Sequence, residues 1–244
     1  MSFEPFIQDY FDCNPDFYKK VEALEKRVGK KLFRKLKNNK SQTNFHSWLS
    51  EMRFGLFFNK FCEVKYDTLI DRKTPDWTLI MNDQKILAEV ARINVEEDEL
   101  RQIYEFAEEL KIHNQQNLDK PKRYMVVPPK TFLSSAYLYN HQSKITAKEK
   151  NYAPIINKYQ IPFIICISPI SNTYLNQYDV FDFLIGSNKK GLFYTDHDFG
   201  RNVTGVLFEE AYEQIYYNNE NSYVTLNEQN QTFFQSITFV QPNW

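Results

Sequence analysis

Glycine is scarce in this chain, six in 244 residues, which argues against a glycine-rich loop wrapped around nucleotide phosphates, and the Walker spacing is missing as well. Cysteine is rarer still. Cys13, Cys62 and Cys166 are odd in number and far apart, so neither a disulfide framework nor a zinc knuckle is indicated, and buried or idle thiols are expected. No window reaches the run of about 18 apolar residues that a membrane span needs. The opening "MSFEPFIQDYFDCNPDF" carries acids where a secretory leader would be basic. A cytoplasmic protein without a membrane partner is the expectation. There is no Ser-His-Asp order, nucleophile elbow, internal repeat, low-complexity tract or clear linker. A net charge of -1 provides no global field to attract a polyanion, so any such attraction must come from local clusters.

Aromatic residues are abundant, with 21 Phe and 16 Tyr making up most of a 16% share, and they point to a core built on flat rings. The 42% hydrophobic and 25% charged fractions suit one large domain over residues 1–244. Helix, strands, helix, strand, helix, strand is the order read along the chain, which implies an α/β fold with a mixed central sheet flanked by helices. "IPFIICISPI" is an all-apolar strand of the kind found mid-sheet. "EEDELRQIYEFAEELK" reads as an acidic helix, "LDKPKRYMVVPPK" as a short strand between prolines, and "SSAYLYNHQSKITAKEKNYAPIINKY" as a long helix bent or interrupted near Pro154.

"KKVEALEKRVGKKLFRKLKNNK", residues 19–40, holds ten Lys or Arg against Glu22 and Glu25. Leu24, Val28, Leu32 and Leu36 fall four apart, so one basic amphipathic helix is expected, with its cations on the outer side. Lys30, Lys31, Arg34, Lys35 and Lys37 are candidate contacts to a nucleic-acid backbone, and a merely solvated helix face is the alternative.

The stretch "TPDWTLIMNDQKILAEVAR" reads as two strands joined by a two-residue turn at Asn82-Asp83. Opposed residues then have numbers summing to 165, which sets Asp76 across from Glu89 on one side of the sheet, with Cβ atoms about 4.5–5.5 Å apart. Like charges so placed need exposure, a proton or a cation, and Mg²⁺ or Mn²⁺ is the usual cation for paired carboxylates. A third acid lies in "NFHSWLSEMRFGLFFNKF", a helix apolar on nearly every side and therefore buried. Ser47, Glu51 and Gly55 form a narrow stripe on it, and a mid-helix glycine implies close approach of another element. Arg53 and Lys60 are the expected partners if Glu51 makes a structural ion pair.

Glu51 on a helix, then Pro75-Asp76, then Glu89 on a strand resembles the PD-(D/E)XK nuclease superfamily, and most closely its standalone bacterial members of unknown activity, which lack the motif lysine. "KITAKEKNYAPIINKY", "IPFIICI", "FDFLIGS" and "VTGVLFEE" extend the resemblance over about two thirds of the chain. It implies a restriction-endonuclease-like core at 45–244, with a C-terminal extension, preceded by a basic helical segment at 1–44. It further implies that Asp76 and Glu89 bind the metal, that Glu51 assists, and that a lysine belongs where Ala91 stands.

Several cations are candidates for that lysine's task of steadying charge on phosphate. Arg92 points to the opposite sheet face from Glu89. Lys85 lies about 13 Å along the strand. Lys148 and Lys150, on the helix before "IPFIICI", and Lys73, just before Thr74, are better placed. "TDHDF" groups Asp196, His197 and Asp198, for which a solvated loop is the preferred reading. His46 is expected to cap or pack, while His113 and His141 have no partner at a useful spacing. The leading expectation is a metal-dependent nuclease, acting on DNA before RNA, with Asp76, Glu89, Glu51 and Lys148 or Lys150 as its site. A scaffold that has lost catalysis and binds nucleic acid or protein is the alternative, and a purely structural acid cluster is the third reading. A homodimer is left open.

Overall fold

The computed structural model describes residues 3–29, 32–37, 41–93, 138–169, 175–210 and 213–237. Its centre is a six-stranded sheet in sequential order β1 to β6. The expected turn opens it: Asn82 and Asp83 both take positive φ, 46° and 60°, the pair of left-handed residues that a type I′ hairpin demands. Strand β2 (Trp77–Met81) therefore pairs with β3 (Gln84–Ile93) in the expected register, Met81 opposite Gln84 and Trp77 opposite Ala88. Strand β1 (Glu63–Tyr66) adds antiparallel to β2, β4 (Phe163–Pro169) and β5 (Gly205–Glu210) follow in parallel, and β6 (Glu213–Asn218) closes the far edge antiparallel. The sheet is thus mixed, and the apolar "IPFIICISPI" strand lies in its interior as expected.

The period-2 alternation of strands divides the core in two. Ile86, Ala88 and Val90 of β3 join Ile164, Cys166 and Leu207 on one face, against α1 (Pro5–Cys13), α2 (Pro15–Val28), α3 (Leu32–Lys37) and α4 (Gln42–Phe58). Leu87, Ala91 and Ile93 join Phe163, Ile165 and Ile167 on the other, against α5 (Gln142–Tyr159) and α6 (Gln177–Leu184). The first core is aromatic: Phe11 meets Trp48, Phe33 and Phe45 with ring centroids 6.0, 6.3 and 6.3 Å away. The N-terminal helices and α4 thereby share one cluster, and α4 itself begins at Gln42, capped by Ser41.

Local chemistry departs from the sequence reading at two places and narrows it at Pro154, where interruption is ruled out. The basic segment is two helices rather than one, because α2 stops at Val28, Gly29 takes φ 84° and α3 starts at Leu32; Leu24, Leu32 and Leu36 are nevertheless buried. Helix α5 runs through Pro154 without interruption. The proline is exposed, so water can satisfy the carbonyl that loses its partner. "YTDHDFGRN" is not a loop but two short helices, α7 (Leu192–Thr195) and α8 (His197–Asn202), with Asp196 accepting the Phe199 N–H as a cap. His197 and Asp198 are exposed beside it.

The Asn-rich tail clasps the hairpin. Asn230, wholly buried at the start of α9 (Glu228–Ser236), accepts from Asn82 Nδ2 at 2.7 Å and donates to the Met81 carbonyl and Gln84 Oε1, both at 2.9 Å. Cys166 is a core thiol, while Cys13 is exposed and Cys62 half-buried. No helix among the described residues is long and apolar enough to cross a membrane. The segments read as an acidic helix at 96–111 and as a strand between prolines, together with His113, lie outside the described residues.

Candidate active site

The hairpin register runs one step past Trp77, and that step brings Asp76 to Glu89. The two acids clasp each other through the backbone: the Asp76 N–H donates to Glu89 Oε1 at 3.0 Å, and the Val90 N–H donates to Asp76 Oδ2 at 2.9 Å. Both side chains are buried, with relative exposures of 9% for Asp76 and 4% for Glu89. Glu89 lies between Leu87 and Ala91 along β3, on the face that α5 covers. From that helix Lys148 reaches Glu89 Oε2 with its Nζ at 2.7 Å, and Tyr152, one turn further on, lies close enough to the same carboxylate to interact with it.

Glu51 arrives from α4 on a route fixed by Gly55. A Cβ at position 55 would stand 2.0 Å from Trp77 Cζ2, so only glycine lets the indole lie against the helix, as the sequence reading anticipated. The Trp77 Nε1–H then donates to the Glu51 carbonyl at 2.9 Å. The Glu51 carboxylate accepts from Lys35 Nζ at 2.8 and 3.0 Å and from the Tyr66 hydroxyl at 2.6 Å. Lys35 also lies 3.8 Å from Asp76 Oδ1. It therefore bridges the two acids.

Three carboxylates and two ammonium groups leave the ionised cluster with one net negative charge. Burial and then that excess set the pKa directions. Burial, then the charge of Asp76, pushes Glu51 up to about 7 against the pull of Lys35 and Tyr66. Burial and Asp76 likewise raise Glu89 against Lys148. For Lys35 and Lys148, burial favours the neutral amine, but the surrounding carboxylates outweigh it and both ammonium groups are held above their ordinary value. Acids raised mainly by burial beside ammonium groups held protonated by carboxylates describe a buried site with an excess of acids.

Comparison with family models, with curated proteins and with solved structures returns no match.

Of the residues singled out from sequence, Glu51, Asp76, Glu89 and Lys148 meet here. Lys150 does not: it is exposed, two residues round the helix from Lys148 and beside Glu149. Lys73 and Lys85 are also exposed. Arg92 faces α4, where it donates to the Thr43 carbonyl at 2.8 Å. Neither expected partner of Glu51 reaches it, because Arg53 pairs with Glu209 at 3.7 Å and Lys60 is exposed. Among the proposed phosphate contacts, Arg34 and Lys37 are exposed on α3, Lys35 turns inward to the acids, and Lys30 and Lys31 lie outside the described residues. His46 packs at 5.8 Å from the Phe45 ring. His141 is buried before α5.

Tyr66 and Tyr152 are site residues the sequence reading does not name, and Lys35, expected among the phosphate contacts, belongs instead to the acids. The i, i+4 step from Lys148 to Tyr152 was visible in the sequence; nothing local marks Lys35 or Tyr66, which come to Glu51 from distant elements. Among the described residues no three His, Cys, Asp or Glu side chains are grouped closely enough to hold an ion by themselves. The donor chemistry of Asp76 and Glu89 still fits a hard divalent ion that keeps most of its waters. Asp76 Oδ1 accepts no hydrogen bond among the described residues, with Lys35 Nζ at 3.8 Å.

Proposed function

We propose that this cluster is the site of a metal-dependent phosphodiesterase acting on nucleic acid, DNA before RNA, and that β1 to β4 with α4 and α5 form a restriction-endonuclease-like core. The observation that carries the reading is the position of Lys148. Its ammonium, 2.7 Å from Glu89 on the Ala91 side of the sheet, supplies from a neighbouring helix the cation that the strand lacks at position 91. Asp76 and Glu89 would hold Mg²⁺ or Mn²⁺, which when bound lowers the pKa of water and screens phosphate charge. A divalent ion would turn the cluster's single negative charge into a single positive one, matched to one phosphodiester. Lys148 steadies charge building on the phosphate oxygens. Glu51, poised near 7, is able to take a proton at neutral pH, and Lys35 with Tyr66 keeps its carboxylate aimed. Arg34 and Lys37 on α3 contact backbone phosphates without reading bases.

The test is cleavage of labelled oligonucleotides with Mg²⁺ or Mn²⁺ by the parent, Asp76→Asn, Glu89→Gln and Lys148→Met proteins, each checked for folding. Loss of about a hundredfold or more is expected for each acid variant. Variants that cut as fast as the parent would overturn the reading. One observation favours a second reading, a binding module without catalysis: Lys35 and Lys148 already neutralise two of the acids. Nucleic-acid binding that persists without any Mn²⁺ binding or cleavage would select it.

A further inference from the structure

We infer that the cleft between α4, β3 and α5 is a phosphate subsite next to the acid cluster, where Arg92 and Lys144 hold a backbone phosphate of a nucleic-acid strand. The inference rests on the phosphodiesterase reading for the identity of its ligand, but on separate residues for its chemistry. The cleft has a volume of about 250 Å³ and is lined by Ser47, Glu51, Ala91, Arg92, Lys144 and Lys148 among others. Three of those side chains are cations and one is an acid. Glu51 is already engaged by Lys35 and Tyr66, and Lys148 by Glu89.

Among the described residues Arg92 and Lys144 have no such engagement. The Arg92 guanidinium is half-buried, yet among the described residues its one side-chain bond is to the Thr43 carbonyl and no carboxylate pairs with it. A guanidinium carried partly out of water without a counter-ion is costly unless an anion completes it. Burial alone pulls Arg92 down to about 10, and His46 nearby is lowered by burial and by the charges of Arg92 and Arg53. The charges that reach His46 on this side of the cleft are therefore cationic. Lys144 is exposed and stands four residues before Lys148, about 6 Å along the same face of α5. Arg92 from β3 and Lys144 from α5 line the cleft together with Ser47 of α4, whose hydroxyl donates to the Thr43 carbonyl at 3.1 Å, and the pair of cations suits the forked geometry with which arginine grips phosphate.

The cleft lies below the roughly 300–1,000 Å³ of sites that swallow a whole small molecule. A phosphate with part of its sugar fits, and the bases stay outside. Such a subsite would set the register of the strand relative to Asp76 and Glu89 without reading sequence.

The experiment is fluorescence anisotropy of a labelled single-stranded oligodeoxynucleotide and its duplex against the full chain, in EDTA and over a salt series. Lys144→Ala and Arg92→Gln are compared with the parent and with Lys85→Ala, an exposed cation on the hairpin. Lys144→Ala and Arg92→Gln are each expected to weaken binding about tenfold and to reduce the slope of log K against log salt by about 1, whereas Lys85→Ala matches the parent. Should Arg92→Gln fail a thermal-unfolding check, Lys144→Ala and Lys144→Glu decide. Parent-like affinity and slope in the cleft variants would overturn the subsite. So would inorganic phosphate binding as tightly as the strand, which would make free phosphate the ligand. Because EDTA removes divalent ions, a parent that binds no Mn²⁺ in calorimetry would sink the catalytic reading while leaving the Lys144 and Arg92 effects standing.

Discussion

Replacing Lys148 by Met keeps the apolar stem packed on β3 and removes only the ammonium 2.7 Å from Glu89. Deleting one partner of a buried ion pair costs about 3–5 kcal/mol, because the other charge is left uncompensated. Glu89 is 5% exposed at its side chain but Lys148 is 32% exposed, so water partly replaces the ammonium and about 2–3 kcal/mol is the fitting range. For a chain of this size that lowers Tm by roughly 4–12 °C. The loss is also pH-dependent, with a definite sign. Glu89 is raised in the folded parent by burial and by Asp76, and Lys148 is the largest influence opposing that rise. Without Lys148 the folded-state pKa moves further up. A carboxyl raised on folding binds more protons folded than unfolded, so stability falls as pH climbs from the unfolded value towards the folded one. The deficit of Lys148→Met should therefore be small near pH 5 and full near pH 8, measured by urea unfolding at fixed temperature. Glu89→Gln in the same chain should recover most of it. A deficit that is equal at all pH values, or a double variant as unstable as the two single losses added, would refute the pairing.

Glu51→Gln should flatten the parent's own pH profile. With Glu51 pushed up to about 7, the parent loses stability between about pH 4.5 and 7, by a ceiling on the order of 3 kcal/mol, and denaturant melts across that window show whether the slope falls, with the part due to the raised Glu89 remaining. Gly55→Ala gains about 1 kcal/mol of helix propensity but sets a methyl 2.0 Å from the Trp77 ring. Overpacking of this kind exceeds the gain, and a net loss of about 2 kcal/mol is expected by calorimetry, with a changed Trp fluorescence spectrum. Asn230→Ala removes the clasp on the hairpin turn and should cost about 2–3 kcal/mol, because the buried Met81 carbonyl loses its donor; faster amide exchange at Met81 to Gln84 reports it.

What the sequence disclosed was local. Asn82-Asp83 fixed a two-residue turn, the turn fixed the register, and the register brought Asp76 to Glu89. Gly55 announced the approach of Trp77 in the same way, since a glycine inside an apolar helix has few other physical reasons to be there. The partners of the acids were not local. Lys35 was grouped with a basic surface because its neighbours in the chain are cations, and only the break at Gly29 and the packing of α3 turn it inward. Lys148 and Lys150 were equivalent in sequence, and helical rotation separates them once α5 is docked on β3. Tyr66 comes from β1, opposite Trp77, and its hydroxyl contact with Glu51 depends on a strand pairing that its own sequence does not specify.

The claim that the clasped acids form a metal-dependent site is tested most directly by calorimetric titration of Mn²⁺ into the folded full chain. A saturable heat is expected in the parent, disappearing in Asp76→Asn and in Glu89→Gln while their circular dichroism stays native. No heat in the parent, or undiminished binding in both variants, would contradict it.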